Sequence, residues 1–172
     1  MLVELAGLPG VGKSTVARAL ARRLDAVWLR VDTLEAAMLA AGLRRSHATG
    51  LAAYLAVRDQ AREQLALGRS VVVDAVNGVE PARRLWRELA RERRVRLRVV
   101  ELVCADAREH RRRVERRAAP TPPLPKPSWE EVLRREYAPW RGRLLTLDTT
   151  RPVRENVRRA VAQLRRGRGP RR

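Results

Sequence analysis

The chain has 172 residues, of which 45% are hydrophobic, and a formal net charge of +19 at pH 7. These values favour a single folded domain with a real core and exclude a disordered chain, and no apolar run is long enough to cross a membrane. The sequence enters an apolar stretch at residue 2, without the basic and apolar regions of a signal peptide, so we expect a cytoplasmic protein.

The positive charge comes almost entirely from arginine. Lys13 and Lys126 are the only lysines, so 36 of the 38 basic residues are arginines. They are scattered over every predicted helix, which indicates a bias of the whole chain, although a basic surface keeps nucleic acid open as a partner. The tail at 165–172 (RRGRGPRR) is rich in arginine, glycine and proline, so we predict a disordered basic segment after a domain spanning 1–164.

The first predicted strand, at 2–6, leads into GLPGVGKS at 7–14, which fits the phosphate-loop pattern G-x-x-x-x-G-K-[ST]. Backbone N–H groups of such a loop surround an anion, and the N-terminus of the following helix adds its dipole. The spacing predicts that Lys13, a candidate catalytic residue, reaches the β- and γ-phosphates, and that the Ser14 hydroxyl binds Mg²⁺. The predicted ATP contacts here are Gly7, Leu8, Pro9, Gly10, Val11, Gly12, Lys13, Ser14 and Thr15.

The second predicted strand, at 26–31, is followed by Asp32 in VDTLEAAM. Ligands of parallel sheets bind beyond the carboxyl ends of the strands, so Asp32 is the candidate catalytic group that takes the proton of a phosphate acceptor. An alternative, compatible interpretation is a capping box in which Asp32 and Glu35 begin the next helix. Residues 33 to about 66 should form the acceptor side, with candidate contacts at Arg30, Asp32, His47, Tyr54 and Arg58.

The third predicted strand, at 70–76, contains Asp74, a candidate Mg²⁺ ligand together with Ser14. An ordinary aspartate that caps a turn is the alternative. The next position holds Ala75, where many nucleotide-hydrolysing motors have a water-activating glutamate. This substitution favours phosphate transfer to a hydroxyl group over hydrolysis.

The fourth predicted strand, at 95–103, precedes a helix that places Arg113 and Arg117 four residues apart, on one face. We predict that these two arginines are catalytic cations on a lid at about 106–130, although a solvated basic face is the alternative. The proline-rich stretch at 118–128 cannot be helix or central strand, so it is an exposed connection. A fifth strand at 143–147 completes the strand–helix alternation that is typical of an α/β parallel sheet covered on both faces.

Together, GLPGVGKS, VDTLEAAM, VVVDAVN, the arginine-rich helix, SWEEVLRREYAPW and LDTTRPVRENVRRAV resemble the small P-loop kinases of the AAA-family-ATPase type. That group includes zeta-toxin-like kinases, chloramphenicol phosphotransferase and the kinase half of polynucleotide kinase. The resemblance implies a three-layer αβα fold with strand order 2-3-1-4-5, an arginine-bearing lid, ATP and Mg²⁺ as cofactors, and Asp32 as the acceptor-activating residue. It also implies that the segment with Thr150, Arg151 and Pro152 lies near the adenine.

The residue three positions after Asp32 bears on the class of phosphate acceptor. These kinases often carry arginine three positions after the aspartate, where this chain has Glu35, which disfavours an anionic acceptor unless Arg30 or Arg58 substitutes. The function favoured is ATP- and Mg²⁺-dependent transfer of the γ-phosphate to a hydroxyl group of a small molecule. A polynucleotide 5′-hydroxyl kinase is the first alternative, supported by charge but weakened by the small aromatic content. A non-catalytic ATP-binding or nucleic-acid-binding protein is the second.

Overall fold

The computed structural model describes residues 1–116 and 126–166. Its strands are β1 (Leu2–Ala6), β2 (Ala26–Arg30), β3 (Ser70–Asp74), β4 (Leu97–Val103) and β5 (Leu145–Asp148). Its helices are α1 (Lys13–Leu24), α2 (Val31–Ala40), α3 (His47–Ala66), α4 (Glu80–Glu92), α5 (Ala107–Arg116), α6 (Trp129–Arg134) and α7 (Val153–Arg165). Within the described ranges, no helix combines the length and apolar character needed to traverse a bilayer.

The strands form one parallel sheet in the order β2-β3-β1-β4-β5, which confirms the predicted topology. The pairing of Leu5 with Asp74 and of Ala6 with Glu101 brings the carboxyl ends of the three central strands to one edge. The segments that follow β1, β2 and β3 therefore meet at this edge, where a ligand of an α/β sheet is expected.

Alternating side chains of the sheet build two cores. Val3 and Leu5 of β1 face the buried stripes of α1 and α7. Leu2 of β1 faces the other way, into a core shared with α3 and α4 and centred on the fully buried Trp86. Two helical layers thus cover the sheet, as the three-layer architecture requires.

One predicted helix start is wrong. Helix α2 begins at Val31, with Arg30 as the N-cap residue and no side-chain capping bond, so Asp32 is the second helical residue. The reason is that β2 runs directly into α2. No linker separates the strand from the helix, so Asp32 lies inside the first turn instead of at the cap position. By contrast, Ser128 and Glu131 form a complete capping box at the start of α6.

Several predictions fall beyond the residues that the structure describes. Arg117 and most of the proline-rich connection belong to 117–125, and most of the basic tail belongs to 167–172. Arg165 is the last residue of α7, one position past the predicted end of the domain.

Candidate active site

The phosphate loop lies between β1 and α1 and is wedged against two other elements. Gly7 has φ +144°, and a Cβ atom there would meet the carbonyl oxygen of Leu102 at 2.3 Å. Gly10 has φ +84°, and its Cβ would lie 2.4 Å from Val114 Cγ2 on α5. Because both the backbone conformation and the space exclude a side chain, glycine is required at these two positions.

Lys13 and Ser14 open helix α1 beside the buried end of β3. The Lys13 ammonium donates a hydrogen bond to the Leu8 carbonyl across the loop, at 2.9 Å. Burial raises the pKa of Asp74, whereas the charge of Lys13, a hydrogen bond from Ser14 and the charge of Arg30 lower it. The four side chains therefore form one electrostatic cluster at the carboxyl edge of the sheet.

The cluster fits a magnesium ion that arrives with a phosphate. The described chain has no group of three His, Cys, Asp or Glu side chains that could hold a metal alone. However, the Ser14 hydroxyl and the Asp74 carboxylate are hydrogen-bonded neighbours, and Asp74 Oδ2 is buried without a hydrogen-bond partner among the described residues. Mg²⁺ in nucleotide sites takes only one or two protein oxygens and fills its other positions with phosphate and water, so these two residues suffice.

One guanidinium joins the ends of β2 and β3. Arg30 Nη2 donates to Asp32 Oδ2 at 3.2 Å, and Arg30 Nε lies 3.8 Å from Asp74 Oδ2. The two carboxylates, which the sequence had assigned to the acceptor and to the metal, are thus held by the same cation. Asp32 therefore belongs to the same electrostatic cluster as Lys13, Ser14 and Asp74.

Tyr54 of α3 lies next to this pair. Its hydroxyl accepts a hydrogen bond from the Asn77 backbone N–H at 3.3 Å, and burial raises its pKa to about 12. The charge of Asp32 raises this pKa further, and the charge of Arg135, at the end of α6, lowers it. Sequence reasoning missed Arg135 because it is one arginine among many.

The other acceptor candidates differ in their placement. Glu35 follows Asp32 by one helical turn, and burial raises its pKa; Asp32 raises it further, while Arg45 and Arg135 lower it. His47 is exposed at the start of α3. Arg58 pairs with its neighbour Asp59 at 2.9 Å. Among these residues, Arg30 and Asp32 form an ion pair, and the charge of Asp32 raises the pKa of both Glu35 and Tyr54.

Asn77 joins three elements under the acceptor side. It is fully buried with φ +47°, and its amide donates to the Leu5 carbonyl at 2.7 Å and accepts from Trp86 Nε1 at 2.9 Å. The Asn-Gly pair at 77–78 predicts a turn. It does not predict the contact of Asn77 with Leu5, because Leu5 is 72 residues away in the sequence.

Arg83 of α4 extends this junction to the segment after α6. We call residues 135–143 the strap. Arg83 is only 2% exposed. On one side its guanidinium donates to the carbonyls of Asn77 and Gly78. On the other side it donates to two carbonyls of the strap, those of Ala138 (2.6 Å) and Pro139 (3.1 Å). Its guanidinium also lies 3.7 Å from the centre of the Trp140 ring. These bonds fix the strap, and with it Arg135, relative to β3.

Arg113 lies beside the last glycine of the phosphate loop. It donates to the hydroxyl and carbonyl oxygens of Thr149, at 3.0 and 3.1 Å, and to Glu109 at 2.7 Å. A Cβ atom on Gly12 would lie 3.8 Å from Thr149 and 3.9 Å from Arg113. Arg113 therefore reaches the loop after β5 and the start of α1 together.

The loop after β5 is held in a defined turn. Burial raises the pKa of Asp148, but hydrogen bonds from Thr150 and from the Ala105 backbone bring it below its usual value. Asn156, fully buried on α7, donates to the Asp148 carbonyl at 2.9 Å, and Arg151 pairs with Glu155 on the surface. Thr150, Arg151 and Pro152, the N-cap residue of α7, thus lie in a turn that directly follows Thr149, the residue beside Gly12.

His110 connects the candidate lid to the phosphate loop. Its Nε2 lies 2.8 Å from the Pro9 carbonyl, and its ring meets the Trp129 ring edge-on at 5.1 Å. With Val114 packed over Gly10, this contact seats α5 on the loop. The sequence showed this histidine only as part of an arginine-rich helix.

Comparisons with known proteins agree with this geometry. A family model with the description AAA domain matches residues 2–139. No curated protein matches the chain. Among solved structures, a gluconokinase from Sinorhizobium meliloti 1021 is 22% identical with a TM-score of 0.71, and the match covers 95% of this chain and 91% of that one.

Two solved structures with bound nucleotides are about as similar to this chain as the gluconokinase is. The APS kinase CysC of Mycobacterium tuberculosis with AMPPNP and APS is 22% identical, with a TM-score of 0.72 and coverage of 95% of this chain and 96% of that one. Kti12 of Chaetomium thermophilum with ADP-AlF3 is 22% identical, with a TM-score of 0.70 and coverage of 94% and 98%. At this identity the likeness establishes the fold. The family match over most of its length shows that the chain belongs to the AAA domain family, with the fold of the P-loop kinases.

Proposed function

We propose that the protein is an ATP- and Mg²⁺-dependent kinase that transfers the γ-phosphate to a hydroxyl group of a small molecule. The observation that carries this proposal is the bridge from Asp32 through Arg30 to Asp74, beside Lys13 and Ser14. It supports a proton acceptor adjacent to the bound phosphates, which a kinase needs and a simple nucleotide-binding protein does not.

On the donor side, backbone N–H groups of the loop at 8–15, other than Pro9, would bind the phosphates, and Lys13 would exchange the Leu8 carbonyl for a phosphate oxygen. Ser14 and Asp74 would hold Mg²⁺, which when bound neutralises charge on the phosphate oxygens. The ligands AMPPNP and ADP-AlF3 in the similar structures support a nucleoside triphosphate as donor.

The nucleoside would lie beside Arg113 and the turn with Thr150, Arg151 and Pro152, because Arg113 and Thr149 meet next to Gly12 at the start of α1. His110 would keep α5 seated on the loop while Arg113 faces the nucleotide. A second lid cation at Arg117 stays a prediction from the sequence.

On the acceptor side, Asp32 would accept the proton of the hydroxyl group as its oxygen attacks the γ-phosphorus. The new P–O bond forms while the bond to the β-phosphate oxygen breaks, and ADP leaves. Arg30 would orient the Asp32 carboxylate, and Tyr54, Glu35 and Arg135 would surround the acceptor.

A polynucleotide 5′-hydroxyl group is the second candidate acceptor, and the net charge of +19 favours it. The two candidates are separable by one assay with radiolabelled ATP. The acceptor panel contains a neutral polyol, an amino sugar, a nucleoside, gluconate and an oligonucleotide with a free 5′-hydroxyl group. We expect transfer to a small acceptor at the highest kcat/KM. A faster reaction with the oligonucleotide would favour the second candidate, and phosphate release without transfer to any acceptor would contradict both.

A further inference from the structure

A cleft of about 860 Å³ lies on the α4 side of the sheet, between α4 and the strap. Glu4 of β1 and Val99 of β4 line its bottom, and Arg87 of α4 faces Trp140, Arg141 and Arg143 of the strap. Its described lining residues include none of the phosphate loop, Asp32 or Asp74. The volume is that of a site for a small organic molecule.

Glu4 is the unusual residue in this cleft. It is 1% exposed, and neither of its carboxylate oxygens has a hydrogen-bond partner in the described chain. Burial raises its pKa to about 8, against the lowering effect of the Arg83 and Arg87 charges. Glu4 is therefore mostly uncharged at neutral pH, and a buried polar group without a partner is rare in folded proteins.

Intramolecular pairing does not account for Glu4. The cation that lowers its pKa most is Arg83, but the Arg83 guanidinium donates to four backbone carbonyls and stacks on Trp140. Arg87 pairs with Glu80. The carboxyl group thus lies under an open cleft while the adjacent arginines bind other groups.

The cleft has a net positive charge. Four arginines line it against one charged carboxylate, that of Glu80, because Glu4 is mostly neutral. Arg141 and Arg143 are exposed on the strap, where they are accessible to a ligand. Between the arginines, Val99 and Trp140 provide apolar and aromatic surface.

We propose that this cleft, the α4–strap cleft, is a second ligand site that takes an organic anion. The ligand would carry one acidic group, a carboxylate, phosphate or sulfonate, on a flat apolar body. The acidic group would lie between Arg87, Arg141 and Arg143, and the body would lie over Val99 and against Trp140. This site is separate from the phosphate loop and does not depend on the kinase assignment.

The test uses 8-anilinonaphthalene-1-sulfonate, an aromatic sulfonate whose fluorescence rises on binding, with the full chain and saturating ATP and Mg²⁺. We expect saturable binding of one molecule that ATP does not displace. The double variant Arg141→Glu/Arg143→Glu should weaken this binding at least tenfold. The matched control is Arg158→Glu/Arg159→Glu, two exposed arginines of α7 on the opposite face, with the same change in net charge. Equal weakening in both double variants, or displacement by ATP, would overturn the proposal.

The pH dependence tests the position of Glu4. The charged and titratable groups that act on it are Tyr54 of α3 and Glu80, Arg83 and Arg87 of α4, with Arg141 and Arg143 across the cleft. The arginines keep their charge between pH 6 and 9, and Tyr54, with a pKa of about 12, stays neutral. Affinity should therefore fall about tenfold from pH 6 to pH 9 as Glu4 ionises, and Glu4→Gln should abolish the fall. An identical pH profile in the two proteins would overturn the assignment.

Val99→Phe provides a variant that keeps every charge. Its larger side chain should occupy the bottom of the cleft and weaken sulfonate binding at least tenfold, while the thermal unfolding midpoint shows whether the sheet tolerates it. A folded Val99→Phe protein with unchanged affinity would place the bound sulfonate elsewhere and contradict the proposal.

Discussion

The donor side and the acceptor side of the candidate active site are held together in different ways. The donor side is local, because β1, the glycine loop and the first turn of α1 are consecutive in the chain. The acceptor side and the strap depend on side chains that bond distant backbone: Asn77 to Leu5, and Arg83 to Ala138 and Pro139. A short motif can specify the first kind of site, whereas the second requires the folded core.

The largest effect is expected on the donor side. Lys13→Ala should lower phosphate transfer by roughly a thousandfold or more, because the developing charge on the phosphates loses a positioned cation. The melting temperature should change little. Arg22→Ala, an exposed position of the same helix, is the control and should retain full activity. Near-normal turnover of the Lys13 variant would contradict the phosphate-loop assignment.

On the acceptor side, the largest effect of a single substitution should be on the free energy of unfolding. Arg83→Met removes the donors of four backbone carbonyls in a buried junction, and we expect a loss of about 4 kcal/mol in the free energy of unfolding. In the folded fraction, KM for the acceptor should rise more than KM for ATP. The comparison is with Arg84→Met, an exposed neighbour. If the two variants are equally stable in urea titrations, the junction does not hold the strap.

Glu4, buried under the α4–strap cleft, makes the stability of the protein depend on pH. Its folded-state pKa is raised from 4.5 to about 8, so the folded state resists ionisation. As the pH rises from 4.5 to about 8, the unfolded chain loses the Glu4 proton before the folded protein does, so the free energy of unfolding falls. Above about pH 8 it stays at this lower value. Glu4→Gln should remove a loss on the order of 3 kcal/mol between pH 5 and pH 9. Urea unfolding at both pH values measures it, and Glu63→Gln, on the exposed surface of α3, should retain the wild-type slope.

A smaller effect tests how α5 seats on the phosphate loop. Gly10→Ala should cost about 2 kcal/mol, from the positive φ angle and from the contact with Val114. Adding Val114→Ala should recover the part that comes from the contact and leave the part that comes from the backbone. Unfolding free energies of the two single variants and the double variant form a complete cycle. Strict additivity would mean that Val114 does not pack on Gly10.

The same contrast explains what the sequence could predict. Strand positions and the place of the glycine loop between β1 and α1 followed from local patterns, and the strand order followed from the family resemblance. The predicted cap at Asp32 was wrong because the end of β2, rather than the residue type, decides where α2 begins. Arg83, Arg135 and His110 could not be singled out, because their roles depend on partners up to 101 residues away in the chain.

The most direct test of the proposed kinase is Asp32→Asn, with Asp59→Asn on the exposed surface of α3 as the control. Asparagine keeps the shape of the side chain but cannot accept the proton of the acceptor hydroxyl. With the best acceptor of the panel, single-turnover transfer should fall by roughly a hundredfold or more in Asp32→Asn, with an unchanged Kd for ATP. Transfer at the wild-type rate by a folded Asp32→Asn protein would contradict the account.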